Sequence, residues 1–538
     1  MSTPPLLERL TRALLDEQRW QAAEHARLLA LPWADRVQAG VSWPHLRLTS
    51  VEPQWQGQEI TLRGPVALHD GIGAGDAVLL APAGTASDGI NGYVVEVEGR
   101  SAVVRVPDEP GSGAADPFGE GGWAKGPVAV SRQFDPRTFQ RYRAALKAAE
   151  GLKTPLVAAL LGDREPQDVA PLPLPGLDDA QALAAGHALG DAPLALVHGP
   201  PGTGKTWLLA RVLAESVRRG DRPWALAESN AAVDHLAGAA AGQGLDVLRL
   251  GHPGRIGPAA RHLSLDARMA AGPFSAALGA LEKDLRKVVG SDRAAWAERR
   301  RLRGERRRIR DQAWSHAVEG AQVLACTFGS LARLLDRLPP TPLAVVDEAT
   351  QALEPAVWVA APKVARLVLV GDPQQLGPVV MQPGNPLEEG LLQRLLREGG
   401  LPMPMLQQQH RMSEGVMRLV APVYGPGYRP SPAVADQRLG DGDLSGRSLL
   451  WIDTAGANFD EERDPVSRSL RNAGEARLIA LLLARLKAEG VRPDQIGVIT
   501  PYSAQVALLK ATAPDVEVAS VNAFQGREKD VILTSWVR

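Results

Sequence analysis

Residues 199–206 read Gly199-Pro200-Pro201-Gly202-Thr203-Gly204-Lys205-Thr206, and the chemistry open to that set is the binding of a phosphate chain. The three glycines let the backbone fold into a nest whose N–H groups face phosphate oxygens at a helix N-terminus. Lys205 adds a mobile positive charge for β- and γ-phosphates, and Thr206 offers a hydroxyl to Mg²⁺. A second requirement is an acidic pair at the end of a later strand. Asp347 and Glu348 follow the apolar run LAVV directly. There Asp347 is expected to hold Mg²⁺ through water, and Glu348 to polarise the attacking water as a general base. A bare Asp-Glu pair is common; its place after a strand and downstream of a phosphate loop makes it specific.

These residues need a scaffold with strand ends at one edge. The loop is preceded by LALV and followed by WLLARVLAESV, the strand and helix that such a loop requires. From Leu177 onward the apolar runs LALVHG, WALAES, VLRLG, VLACT, LAVVD and LVLVGD alternate with helical stretches. Buried strands joined by crossover helices predict a parallel sheet covered on both faces, the α/β doubly wound class. A second α/β stretch begins near Leu406, with LLWID, QIGVIT, VASV and VILTSWV as strands. Upstream, residues 5–31 carry apolar groups at helical spacing. Short β-rich runs from His45 to Pro107 have the spacing of a small barrel. Residues 108–128 read as a Gly/Pro/Asp loop, and PQDVAPLPLPG as a proline-rich linker. The expected domains are stalk helices (1–44), barrel (45–128), stalk helix and linker (129–176), a first lobe (177–400) with a helical insertion (265–318), and a second lobe (401–538). The insertion contains AWAERRRLRGERRRIRDQAW, which is either a solvated helix or a surface facing nucleic acid.

The bulk numbers bound the alternatives. A chain of 538 residues exceeds what one core organises and implies three or four units. With 45% apolar and 22% charged residues it is a folded globular chain rather than a disordered one. A net charge of -1 exerts no overall pull on a polyanion, so contact with nucleic acid requires a local basic surface. Cys326 is the sole cysteine, which excludes an internal disulfide and a cysteine-rich zinc site. The opening MSTPPLLERLTRALLDEQRW lacks an apolar signal core, and no run reaches membrane-spanning length. The expectation is a cytoplasmic monomer with no membrane and no disulfide-linked partner.

Taken in order, these motifs resemble the superfamily-one helicases of the nonsense-mediated-decay type, most closely the group of the immunoglobulin mu-binding protein. Asp347-Glu348-Ala349-Thr350-Gln351 is similar to that family's DExxQ. Gln181 in GLDDAQALAAG matches the glutamine that reads the adenine edge. AESNAAVDHL is similar to A-P-S-N-x-A-V-D-x-L, with Glu228 in place of proline, and implies that Ser229 and Asn230 approach the nucleic-acid backbone. VGDPQQLGP resembles the third motif, with Gln375 as the γ-phosphate sensor and Gly377 where proline is usual. LQQQHRM resembles L-x-x-Q-Y-R-M, with His410 in place of the tyrosine that flanks the base and Arg411 as the charge for the γ-phosphate. ITPYSAQV implies Thr500 and Tyr502 as nucleic-acid contacts, and the resemblance adds Thr327 at the end of VLACT. SVNAFQGREKDVILTSWVR matches the fifth motif, with Asn522 for an aspartate, Gln525 near the strand and Glu528 near the nucleotide.

The resemblance implies two RecA-like P-loop NTPase lobes, the second incomplete, beneath a helical stalk and small barrel. It implies ATP and Mg²⁺ as cofactors, single-stranded or forked DNA or RNA as partner, 5′-to-3′ travel, and an ATP hydrolase acting as helicase or translocase. Two alternatives stay open: an ATP-dependent clamp or ribonucleoprotein remodeller that separates no strands, and a nucleic-acid-binding protein with weak ATPase. The family continues past SWVR into a motif with a further arginine, so the expectation is weak hydrolysis and a second lobe with an unpaired strand edge.

Overall fold

The barrel is built by strands that alternate inward and outward side chains. In the computed structural model, which describes residues 4–54, 57–68, 71–83, 89–106, 122–165, 167–288, 293–465 and 467–538, it has six strands: β1 (Ser42–Gln54), β2 (Gly57–Arg63), β3 (Ala77–Pro82), β4 (Ile90–Glu98), β5 (Ser101–Val106) and β6 (Val128–Arg132). They close antiparallel in the order β1-β2-β5-β4-β3-β6. Trp43, Leu46, Ile60, Leu62, Val78, Leu80, Val94, Val104 and Val130 fill the interior. The expected barrel, 45–128, is corrected to 42–132. Without β6, the edges of β1 and β3 would lack partners, and Val128 and Val130 are fully buried between them. Most of the expected loop (107–121) lies outside the described residues.

The first lobe carries β7 (Leu194–His198), β8 (Trp224–Ala227), β9 (Val247–Leu250), β10 (Val323–Thr327), β11 (Thr341–Val346) and β12 (Val364–Gly371). All are parallel, in the order β7-β12-β11-β8-β10-β9. Alternate residues divide between two cores. Ala195, Val197, Ala225, Val345 and Val368 face the helices Lys205–Arg218 and Asn230–Ala241. Leu194, Leu196, Leu226, Val346 and Leu369 face the other side. That second side is covered in part by the stalk. Helix Pro5–Leu29 buries Leu7, Leu10 and Leu14, and helix Arg137–Ala149 buries Phe139, Tyr142 and Leu146 in the same cluster as the strands. Both faces being covered explains why these strands read as unbroken apolar runs.

The stalk is also tied by polar contacts. The buried Glu17 carboxylate accepts the backbone N–H groups of Met381 at 2.8 Å and Gln382 at 3.0 Å. Helices Leu265–Ala271, Ser275–Lys287 and Arg293–Gly320 form the insertion. Within it Arg301 pairs with Glu298 and Glu305, and Arg306 with Glu282, while Arg300 and Arg307 are exposed.

The boundary expected at 401 shifts. The backbone N–H of His198 donates to the Pro404 carbonyl and that of Leu406 to the His198 carbonyl, so residues 404–406 extend the first sheet, and Leu406 is buried in its core. Two short ladders follow, parallel β13 (Gln408–Gln409) with β14 (Arg429–Pro430) and antiparallel β15 (Glu461–Arg463) with β16 (Leu470–Asn472). The second lobe proper has β17 (Ile496–Thr500), β18 (Glu517–Ser520) and β19 (Val531–Thr534), parallel in the order β18-β17-β19. Helices Ala473–Ala488 and Ser503–Thr512 pack on it through Ile479, Leu483 and Leu509. The run LLWID is not a strand. No described strand pairs with it, so its backbone stays irregular, and Trp451 is 77% exposed. Among the described residues no helix is long and apolar enough to cross a membrane.

Candidate nucleotide site and strand interface

The chain leaves β7 at His198 and turns through 199–204 into helix Lys205–Arg218. Gly202 and Gly204 stand at φ 71° and 78°, which a side chain disfavours. A Cβ on Gly202 would also lie 2.7 Å from the Arg411 Cβ. Thr203 is buried and its hydroxyl donates to the Pro200 carbonyl at 2.8 Å, closing the turn. Gln181 braces the loop from behind. Its Nε2 donates to the Thr203 carbonyl at 3.1 Å, its Oε1 accepts the Asp178 N–H, and the Asp178 carboxylate accepts the Gln181 N–H. This reciprocal cap explains why a glutamine sits at the third position of helix Asp179–Ala188.

Lys205 Nζ donates to the Gly199 carbonyl at 2.9 Å and lies 3.5 Å from Glu348 Oε1. Thr206 Oγ1 donates to Asp347 Oδ2 at 2.9 Å. Burial, and then the neighbouring Glu348 charge, push the Asp347 carboxyl up, against the pull of Lys205 and the Thr206 bond. A hydroxyl and a buried carboxylate in contact are two hard oxygen donors, a set that suits Mg²⁺ completed by phosphate oxygens and water. Glu348 adopts φ 50°, an uncommon conformation for a residue with a side chain. Its Oε2 accepts Gln351 Nε2 at 3.4 Å.

Beyond β12, Asp372 is fully buried and collects donors from four directions. His198 Nε2 lies 3.1 Å and the Gln374 N–H 3.1 Å from Oδ1; Gln375 Nε2 and the Tyr424 hydroxyl each donate to Oδ2 at 2.7 Å. Burial alone would raise this carboxyl, but the bonds from His198, Tyr424, Gln375 and Gln374 outweigh it and hold it below the usual range. The Tyr428 hydroxyl donates to the Pro201 carbonyl at 2.7 Å, and the His410 N–H to the Gly202 carbonyl at 2.8 Å. The His410 imidazole is exposed. Arg411 stands with its Cβ against Gly202 while its guanidinium pairs with Glu528 at 2.7 Å. Nothing in the sequence pattern singles out Asp372, His198, Tyr424 and Tyr428. Asp372 lay inside VGDPQQLGP, but the two tyrosines of VYGPGY carry no spacing signal of their own.

Of the residues matched to the strand-binding motifs, Ser229, Thr327 and Thr500 stand at the C-terminal ends of other strands. Ser229 follows β8 and caps helix Asn230–Ala241, accepting the Ala232 N–H at 3.1 Å. Asn230 Oδ1 accepts from the buried Arg249, which also meets Asp234 at 2.7 Å. Thr327 ends β10 and caps helix Phe328–Leu334. Thr500 ends β17, buried, with a hydroxyl that meets no partner among the described residues. Tyr502 is half-buried at the start of helix Ser503–Thr512, and Gln525 is half-buried with a covered Nε2 that has no partner among the described residues. In the first sheet, β7, β12 and β11 carry the phosphate loop, Asp372–Gln375 and Asp347–Glu348, whereas β8 and β10 carry Ser229 and Thr327.

A doubly wound parallel sheet with this loop, its lysine and a Thr–Asp pair at the strand ends defines a P-loop protein with RecA-like lobes. Two families, each described as an AAA domain, match residues 176–383 and 387–538. DNA-binding protein SMUBP-2 of Mesocricetus auratus is 32% identical, over 74% of this chain and 44% of its own length. DNA polymerase alpha-associated DNA helicase A of Schizosaccharomyces pombe is 30% identical, over 67% and 58%. ATP-dependent helicase NAM7 of Saccharomyces cerevisiae is 33% identical, over 67% and 38%. The chain thus spans 38–58% of the length of these relatives. It belongs to the superfamily-one helicase family that carries this pair of AAA domains.

Proposed function

We propose that this protein hydrolyses ATP between its two lobes and uses the cycle to move as a monomer along single-stranded DNA or RNA, opening duplex at a fork. The observation that carries the reading is the convergence of Lys205, Thr206, Asp347 and Glu348 at one sheet edge, with Arg411 packed on Gly202 beside them. Mg²⁺ would be held by Thr206 and Asp347 and would neutralise charge on the β- and γ-phosphate oxygens. Lys205 exchanges the Gly199 carbonyl for phosphate oxygens. Glu348 takes the proton of the attacking water. Gln375, steadied by Asp372, faces the γ-phosphate, and Arg411 exchanges Glu528 for the same group. The adenine lies toward Gln181 and His410. Ser229, Asn230, Thr327, Thr500, Tyr502 and Gln525 form the strand track, gripping phosphates and sugars more than base edges so that stepping tolerates any sequence.

The test is ATP turnover with and without single-stranded oligonucleotides of DNA and RNA, joined to strand displacement on forked duplex. Turnover stimulated by single strand, with displacement at the fork, is expected. Turnover indifferent to nucleic acid would overturn the motor, and turnover without displacement would leave a clamp or remodeller in its place.

A further inference from the structure

Helix Glu414–Tyr424 and the turn after it lie within the second AAA match, yet the hydroxyls of two of their tyrosines bond to the first lobe. Tyr424 donates to the same Asp372 oxygen that orients Gln375, both at 2.7 Å. Four residues later Tyr428, almost wholly buried, donates to the Pro201 carbonyl inside the phosphate loop at 2.7 Å. The two rings touch, with centroids 4.9 Å apart, and His198 at the root of the loop lies 6.0 Å from the Tyr424 ring. The two hydroxyls thus reach two separate parts of the first lobe, one at Asp372 and one at the phosphate loop.

We propose that Tyr424 and Tyr428 are positioning residues that couple the segment bearing Arg411 to the phosphate-facing Gln375 and to the phosphate loop. This rests on the reading of that site as one for ATP. Asp372 is a buried anion, so its rotamer follows its donors. With Tyr424 present, Oδ2 is shared and the Gln375 amide is held between the Asp372 carboxylate and the tyrosine hydroxyl, which fixes the orientation of its side chain. When the segment carrying Arg411 moves off the first lobe, the Tyr424 bond breaks and Gln375 is free to turn away. Tyr428 acts on the loop itself, holding the carbonyl ahead of Gly202 turned toward the tyrosine.

The test compares the protein with its Tyr424→Phe and Tyr428→Phe variants, which keep ring volume and remove only the hydroxyl. Steady-state ATP turnover at saturating single strand separates kcat from KM, and thermal unfolding of each variant is recorded. Tyr424→Phe is expected to lower kcat roughly tenfold, with KM for ATP within about twofold. Tyr428→Phe is expected to raise KM severalfold with a smaller change in kcat. An active parent whose variants both keep its kcat and KM overturns the proposal alone. A kcat deficit in Tyr424→Phe that follows a lowered Tm, and disappears on cooling, overturns it too by assigning the hydroxyl to stability. A parent without ATP turnover overturns the ATP reading and the proposal with it.

Discussion

Replacing Glu348 with Gln separates nucleotide binding from hydrolysis, because the neighbours of the side chain tolerate the loss of its charge whereas proton transfer from water does not. Gln351 donates to Oε2 at 3.4 Å, and an amide oxygen still accepts that bond. Lys205 lies 3.5 Å from Oε1, so removing the charge releases the ammonium for the phosphates. The Glu348 charge also adds to the push on Asp347, so its loss makes the Asp347 carboxylate easier to keep ionised. All three effects preserve or tighten binding of an anionic nucleotide. What disappears is the capacity to accept a proton from water, worth about 10² to 10⁴ in rate, or about 3 to 5 kcal/mol of barrier. Titration with a fluorescent ATP analogue and single-turnover hydrolysis measure the two sides. The expected result is a Kd equal to or below that of the parent, with turnover reduced by about three orders of magnitude. Hydrolysis within about threefold of the parent, or binding lost in step with turnover, would refute the general-base assignment.

Glu228 lies beside Ser229 with a covered Oε2 that meets no donor among the described residues, and burial pushes its carboxyl from 4.5 to about 7. Between those values the folded protein holds more protons than the unfolded one, so this group's contribution falls as pH rises and is lost above about 7. Glu228→Gln is therefore expected to be more stable than the parent at pH 8, by about 1–3 kcal/mol, and equal to it below about pH 4; denaturant melts at both pH values check this, and a variant less stable at pH 8 refutes it. Glu17→Ala orphans the Met381 and Gln382 amides and is expected to cost about 3 kcal/mol, read as a fall in apparent Tm. An unchanged Tm would show that water replaces the carboxylate. Charge reversal at Arg300, Arg303 and Arg307 is expected to weaken single-strand binding and to flatten the log–log salt slope by about 0.7 per lost phosphate contact. Unchanged affinity and slope would make the arm a solvated helix.

Much of this protein was legible in its sequence because the relevant physics is local. A phosphate loop is contiguous, since nest, lysine and hydroxyl must share one turn. Strands buried on both faces announce themselves as apolar runs, and β7 to β12 fall where LALVHG, WALAES, VLRLG, VLACT, LAVVD and LVLVGD stand. Asp347 and Glu348 were readable because they end such a run. Where closure needs a partner from far along the chain, the reading failed. Val128–Arg132 is a strand because two edges of a barrel wait for it, and LLWID is not one because no described strand pairs with it.

The tertiary structure alone decided which polar groups meet. Glu17 and Met381 are 364 residues apart, His198 and Asp372 174, and Tyr428 and Pro201 227, and no periodicity links positions so distant. Strand order was equally hidden: the sequence runs β7 to β12, whereas the sheet places β12 and β11 beside β7 and leaves β8 and β10 on the other side. That permutation gathers Lys205, Thr206, Asp347, Glu348 and Gln375 at one half of the sheet edge and Ser229 and Thr327 at the other. The physical reason is that strand neighbours are chosen by burial and backbone pairing across the whole lobe, while a sequence pattern records only what each strand needs for itself.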